Sequence, residues 1–212
     1  VDLGGLRCVR HVQQEKAQCS IGTLGGGNHF VEVDKGVDGA YWLIVHSGSR
    51  RLGLEVASWY EDAAFQQCRK GTPYELAWAN GELMVDYLHD MKIVQDFAAV
   101  NRQAIVDEII KGMKLDILEM FSSVHNYIDL DTMILRKGAV SAQAGEKLLI
   151  PMNMRDGCLL CVGKGNEEWN FSAPHGAGRR MSRAETRRSF TLSEFKKEMK
   201  GIYSTSVSRE TL

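Results

Sequence analysis

Four of the six histidines in this chain stand where an imidazole could do chemistry. Their settings are Gly25-Gly26-Gly27-Asn28-His29-Phe30, His46-Ser47-Gly48-Ser49-Arg50, His125-Asn126-Tyr127 and Pro174-His175-Gly176-Ala177-Gly178-Arg179. Glycine, serine or asparagine lies beside each one, and such neighbours leave an imidazole room to meet a metal ion or a phosphate. Neutral imidazole binds several divalent metals, so residue type alone does not say which. Around His175, glycines at 176 and 178 would let backbone amides approach a phosphate, with Arg179 there to balance its charge. Ser47, Ser49 and Arg50 read as a second anion cradle, and Arg136 and Lys137 as contacts for phosphate. The chain carries no lysine-containing P-loop: the glycine run at 25–27 continues into Asn28-His29, so any nucleoside triphosphate would be held in another way. His11 and His89 lack comparable neighbours and are expected to be ordinary surface or core residues.

The elements that must aim these side chains can be read from periodicity. Residues 30–33 and 41–45 are apolar and β-branched and predict two strands, with a turn over 34–39. His29 would enter the first strand and His46 leave the second, and strand ends are where a rigid scaffold can direct a ligand. Apolar residues at three- and four-residue steps predict amphipathic helices over 54–68 and 73–113, the latter carrying Leu83, Tyr87, Met91, Val94, Ala98 and Ile105. Gly71-Thr72-Pro73 reads as a stop and restart, with Thr72 capping and Pro73 opening the next helix, and Gly81 as an interruption of it. A short helix is expected over 115–120, short strands over 133–136, 148–151 and 158–162, and a last helix over 193–200. Strands and helices are grouped more than alternated, which favours an α+β fold.

Bulk composition narrows the function classes. At 212 residues and 44% hydrophobic content, one large domain is expected over 1–212. A formal charge of −1 excludes a globally basic nucleic-acid binder, so any RNA contact must use a local patch. The stretch 178–201 offers one, with Arg179, Arg180, Arg183, Arg187, Arg188, Lys196, Lys197 and Lys200 partly offset by Glu185, Glu194 and Glu198. Five scattered cysteines do not resemble a secreted disulfide framework, and a reducing cytoplasm is expected. Cys158 and Cys161 have the spacing of a zinc or redox pair but lie in an apolar run without a second pair, which favours buried free thiols. No apolar run approaches the roughly 20 residues that span a bilayer.

The same histidine motifs carry a family resemblance. Residues 22–32 (Gly-Thr-Leu-Gly-Gly-Gly-Asn-His-Phe-Val-Glu), His46-Ser47-Gly48-Ser49-Arg50, Arg136-Lys137-Gly138-Ala139-Val140-Ser141-Ala142 and His175-Gly176-Ala177-Gly178-Arg179 resemble, in that order, the RtcB family of RNA ligases. The likeness runs over about residues 21–183. It implies an RtcB-like fold of mixed and antiparallel sheets with flanking helices. It also implies a GTP- and Mn²⁺-dependent enzyme that joins an RNA 3′-phosphate or 2′,3′-cyclic phosphate to a 5′-hydroxyl through a histidine–GMP intermediate, with tRNA as the expected RNA. By this resemblance His29, His46 and His125 are metal ligands, and His175 is the catalytic, guanylylated histidine. The nucleotide-contacting set is Asn28, His29, Phe30, Val31, Glu32, His125, Asn126, Pro151, Met152, Asn153, Met154, Cys158, His175, Gly176, Ala177 and Gly178.

The chain also departs from the family pattern. The Asp-x-Gly-Cys-Gly block that lies before the Gly-Asn-His motif has no counterpart, and neither has the C-terminal lysine that reads guanine. Pro151-Met152-Asn153-Met154-Arg155 stands where Pro-Gly-Ser-Met-Gly is usual, and Cys158 replaces a nucleotide-contacting serine. Methionine for glycine removes close backbone access. The resemblance is thus to a divergent or truncated member, incomplete at both ends. Two other functions stay open: a metal-dependent phosphohydrolase acting on RNA 2′,3′-cyclic phosphate ends, and a catalytically inactive relative that binds RNA.

Overall fold

A computed structural model describes residues 1–211, which form two compact units, Val1–Leu118 and a second from Glu119 onward. The first unit begins with 3₁₀ turns at Leu3–Gly5 and Val9–His11 and a short helix α1 (Gln14–Gln18). Strands β1 (Phe30–Lys35) and β2 (Tyr41–His46) pair antiparallel, as their β-branched content predicts. Helices α2 (Arg50–Gln67) and α3 (Gly81–Met113) follow. α2 buries Leu52, Val56, Tyr60 and Ala64, a strict four-residue stripe. These meet Leu83 and Phe97 of α3 and the N-terminal Leu3, Leu6 and Cys8 in one core. Full burial of a side chain such as Phe97 stabilises by about 1.5–3 kcal/mol.

Two of the residues that α3 buries are polar, Asp90 and Asn101. Each satisfies irregular backbone that the helices cannot. The Asp90 carboxylate accepts from the backbone N–H of Arg7 (2.7 Å) and Cys8 (3.0 Å) and from the Tyr60 hydroxyl (2.8 Å). Burial, reinforced by the hydrogen bond and charge of Asp90, pushes the Cys8 thiol up to about 12 and raises the Tyr60 phenol as well. Both stay protonated, as donors to a carboxylate must.

The helix boundaries differ from expectation at several points, α2 among them, since it begins at Arg50 and not at 54. Pro73 precedes only a 3₁₀ turn, Tyr74–Leu76, and no side-chain cap holds it, so the long helix starts at Gly81. Gly81 opens α3 at φ +53°, a conformation that glycine adopts without penalty. No helix forms over 115–120: Lys114 takes the left-handed conformation, and the N–H of Leu115 turns back to the Ile110 carbonyl at 3.0 Å. A chain reversed in this way cannot continue the helix.

In the second unit, strands β3 (His125–Asp129), β4 (Ile134–Ser141) and β7 (Ser172–Pro174) form an antiparallel sheet in the order β3-β4-β7. Strands β5 (Lys147–Asn153) and β6 (Gly157–Val162) form a hairpin. Val140, Ala142 and Leu148 make a small core. Helices α4 (Arg183–Ser189) and α5 (Leu192–Glu198) each start in a capping box, Ser182 with Glu185 and Thr191 with Glu194. The architecture is α+β, as expected. Among the described residues no helix is long and apolar enough to cross a membrane.

Candidate functional site

The first unit brings two of the singled-out histidines together. His29 directly precedes β1, His46 closes β2, and the register sets Phe30 opposite His46. The two imidazole centroids lie 5.8 Å apart, tilted by 58°. Imidazoles sharing one ion through metal–nitrogen bonds of about 2 Å keep their centroids within roughly 6–6.5 Å. The separation lies within that limit, and two neutral nitrogen donors suit a divalent cation. The Phe30 ring meets His46 edge-on at 5.1 Å, so it braces the imidazole. Glu32 shares the half-buried side of β1 with Phe30, whereas Val31 lies on the exposed side; Asn28 is exposed in the preceding turn.

Around this pair the loops are tied by side chains. Arg50 donates to Thr23 Oγ1 (3.1 Å) and the Leu24 carbonyl (3.3 Å), and its guanidinium lies 3.4 Å from His29 Nδ1. A guanidinium only donates, so here Nδ1 accepts and Nε2 carries the proton; a metal on either nitrogen would require Arg50 to turn aside. Gly25 makes room for this contact, because a Cβ there would fall 1.5 Å from Arg50 Nη1 and 2.7 Å from His29 Nδ1. Ser47 is no part of an anion cradle: it is buried, donating to the Leu24 carbonyl (2.8 Å) and accepting from Asn101 (3.1 Å).

The second unit gathers the other two. The rings of His125 and His175 lie 5.0 Å apart at 48°. His175 is exposed, just beyond β7, and its Nδ1 is 2.8 Å from the Gly138 carbonyl, which also accepts from the His175 backbone N–H at 3.2 Å. Because a carbonyl can only accept, Nδ1 carries the proton and the lone pair is left on Nε2. Gly138 is held in turn by its N–H donating to Asn126 Oδ1 at 2.8 Å. Asn126 (φ +55°) and Gly138 (φ +68°) face each other where the β3–β4 register shifts, so the irregularity aims the carbonyl at the imidazole. Asn126 thus acts on His175 through backbone.

Other expected nucleotide residues divide. The Pro151 carbonyl accepts from the Ala177 N–H at 3.2 Å, and a Cβ on Gly176 would stand 3.3 Å from it, which sets Pro151 against the His175-Gly176-Ala177 turn. Gly178, at φ +73°, completes that turn. Asn153 is occupied locally: its Oδ1 accepts from the N–H groups of Arg155 and Asp156, and its Nδ2 donates to Asp156. Met152 and Met154 are exposed. Cys158 pairs with Pro151 and Cys161 with Leu148, and residues three apart in a strand face opposite ways, so the two thiols cannot chelate one ion.

Arg136 is not a phosphate contact. It is 1% exposed, and its guanidinium donates to Asp129, Tyr127, Ser172 and the Asn170 carbonyl. Burial works to raise the Asp129 carboxyl, yet hydrogen bonds from Thr132, Arg136 and Asp131 outweigh it and hold the group below its ordinary value. His89, exposed, bonds the Gly5 carbonyl, and His11 stacks on Trp59, the ordinary roles expected of them. The eight basic side chains of 178–201 are all exposed. Sequence reasoning missed Gly138 and Asn101. The first acts through its carbonyl and leaves no side-chain signal; the second was visible as a polar residue four places from Phe97 on a buried helix face.

Comparison with known proteins gives these clusters a context. The profile of the family described as tRNA-splicing ligase RtcB matches residues 5–211. The RNA-splicing ligase RtcB of Escherichia coli strain K12 is 32% identical, over 82% of this chain and 48% of its own length. The tRNA-splicing ligase RtcB of Aeropyrum pernix is 32% identical over 96% of this chain and 54% of its own. That of Thermococcus kodakarensis is 29% identical over 92% and 52%. The chain spans about half the length of these curated relatives.

Proposed function

The chain belongs to the RtcB family, and on that premise we propose that it serves in GTP- and Mn²⁺-dependent RNA ligation, with His175 as the residue that takes GMP. The observation that carries this reading is the His175 imidazole, exposed and with Nδ1 bound to the Gly138 carbonyl. With Nδ1 donating to that carbonyl, the lone pair of the neutral imidazole is on Nε2, which can act as the nucleophile. Attack on the α-phosphorus of GTP forms an Nε2–P bond and breaks the bond to the leaving pyrophosphate. The backbone of 176–178 gives the phosphates close approach, and Arg179 offers charge to the departing group.

The GMP then passes to an RNA 3′-phosphate, including one derived from a 2′,3′-cyclic end, and a 5′-hydroxyl displaces it as the phosphodiester forms. On the family resemblance alone, His29, His46 and His125 are each proposed as Mn²⁺ ligands, and the pair within the first unit is the part that geometry supports. When bound, the metal would neutralise charge on the triphosphate. The single RtcB-like domain, the cytoplasmic location, and the choice of tRNA among RNAs belong to the same proposal. The names of the relatives, RNA- and tRNA-splicing ligases, support the RNA substrate.

Incubation with Mn²⁺ and α-labelled GTP tests the reading. An acid-labile covalent label is expected, and His175→Ala is expected to remove it. Label that persists in the variant sinks the assignment. Hydrolysis of a cyclic-phosphate oligonucleotide without GTP would instead favour the phosphohydrolase, and RNA binding with neither reaction the inactive relative.

A further inference from the structure

Asn101 is fully buried on α3, and its amide reaches both of the loops that carry His29 and His46. Its Oδ1 accepts from the Gly22 N–H at 2.9 Å. Its Nδ2 lies 3.0 Å from the Gly48 carbonyl, 3.1 Å from Ser47 Oγ and 3.4 Å from the Thr23 carbonyl. Ser47 Oγ passes the link on to the Leu24 carbonyl at 2.8 Å, and Arg102, next along the helix, donates to the Ser47 carbonyl at 3.4 Å. One side chain thereby fixes residues 22–24, which lead to His29, against residues 47–48, which follow His46. Neither loop has ladder hydrogen bonds of its own at these positions, and a buried amide offers both a donor and an acceptor where an apolar residue offers none.

We propose that Asn101 is the positioning residue of the His29–His46 pair: it does not touch a ligand but sets the separation at which the two imidazoles can share an ion. The inference rests on the reading of His29 and His46 as metal ligands. Residues that orient metal ligands typically change affinity by about 10–100-fold when altered. Asn101→Asp has the same shape and keeps the acceptor for Gly22, but it loses the donors and turns a carboxylate toward two carbonyls. The loops should separate while the helix remains.

The test uses Co²⁺ as a spectroscopic probe and Mn²⁺ in a binding titration, with far-UV circular dichroism as the check on folding. Asn101→Asp is expected to bind both ions at least about tenfold more weakly and to shift the Co²⁺ visible absorption. Ser47→Ala, which removes one strut and is milder should the first variant fail to fold, should show a smaller loss in the same direction. Tyr60→Phe, which deletes a buried hydrogen bond to Asp90 elsewhere in the same unit, should leave affinity and spectrum unchanged. If Asn101→Asp and Ser47→Ala bind like the parent while His29→Ala and His46→Ala do not, the positioning role is overturned. If His29→Ala and His46→Ala also bind like the parent, the metal assignment fails first.

Discussion

Arg136 and Asp129 illustrate how a single pair of residues limits what the second unit can tolerate. The guanidinium is buried and four groups accept from it, one of them the Asp129 carboxylate at 3.2 Å. Asp129 is held below its ordinary value, so its contribution to stability is fully present above the unfolded pKa of about 4 and is lost as pH falls through the lower folded value. Asp129→Asn should cost about 1–3 kcal/mol at pH 7, since the buried guanidinium loses its charged partner. The difference between parent and variant in urea denaturation should narrow as pH drops from 6 toward 3. A gap that stays constant across that range would rule the ion pair out as its source.

At the scale of elements, most strands were legible, whereas β3, β7 and the irregular joints were not. Alternating and β-branched residues marked β1, β2, β5 and β6 to within about two residues but only the start of β4, and His29 and His46 fell at strand ends as expected. β3 escaped because His125-Asn126 starts it with a polar residue at positive φ, and α4 because its capping box, Ser182 to Glu185, was the only local signal in a basic stretch. Joints of this kind depend on backbone proximity. Gly163 is the sharpest example: a Cβ there would lie 2.2 Å from the Gln143 carbonyl and 2.5 Å from the backbone of Ala142. Its N–H donates to the Glu146 carbonyl at 2.8 Å, and its own carbonyl accepts from Gly145. Gly163→Ala must therefore move backbone, and a loss of about 2 kcal/mol or more in thermal or urea unfolding is expected. A variant as stable as the parent would mean that this turn yields more easily than its contacts imply.

For the whole molecule, the sequence carried the α+β class and the family, while the division into two compact units left no composition signal at 118–119. The mainly exposed segment 114–120 carries no helix, since Lys114 ends α3 in the left-handed conformation. Limited trypsin digestion should cut first there, at Lys114, and leave fragments close to the two units; a first cut inside α2 or the body of α3 would contradict that boundary. A net charge of −1 coexists with eight exposed basic residues over 178–201, so a phosphate-rich partner can be met locally by a chain that is nearly neutral overall. On the proposed function, Nε2 of His175 is the atom that bonds phosphorus. Mass spectrometry of the protein after exposure to GTP and Mn²⁺, with ³¹P–¹⁵N couplings from ring-labelled histidine, tests it directly. One GMP on His175, bonded through Nε2, is expected; GMP on another residue, on Nδ1, or on none would overturn the assignment.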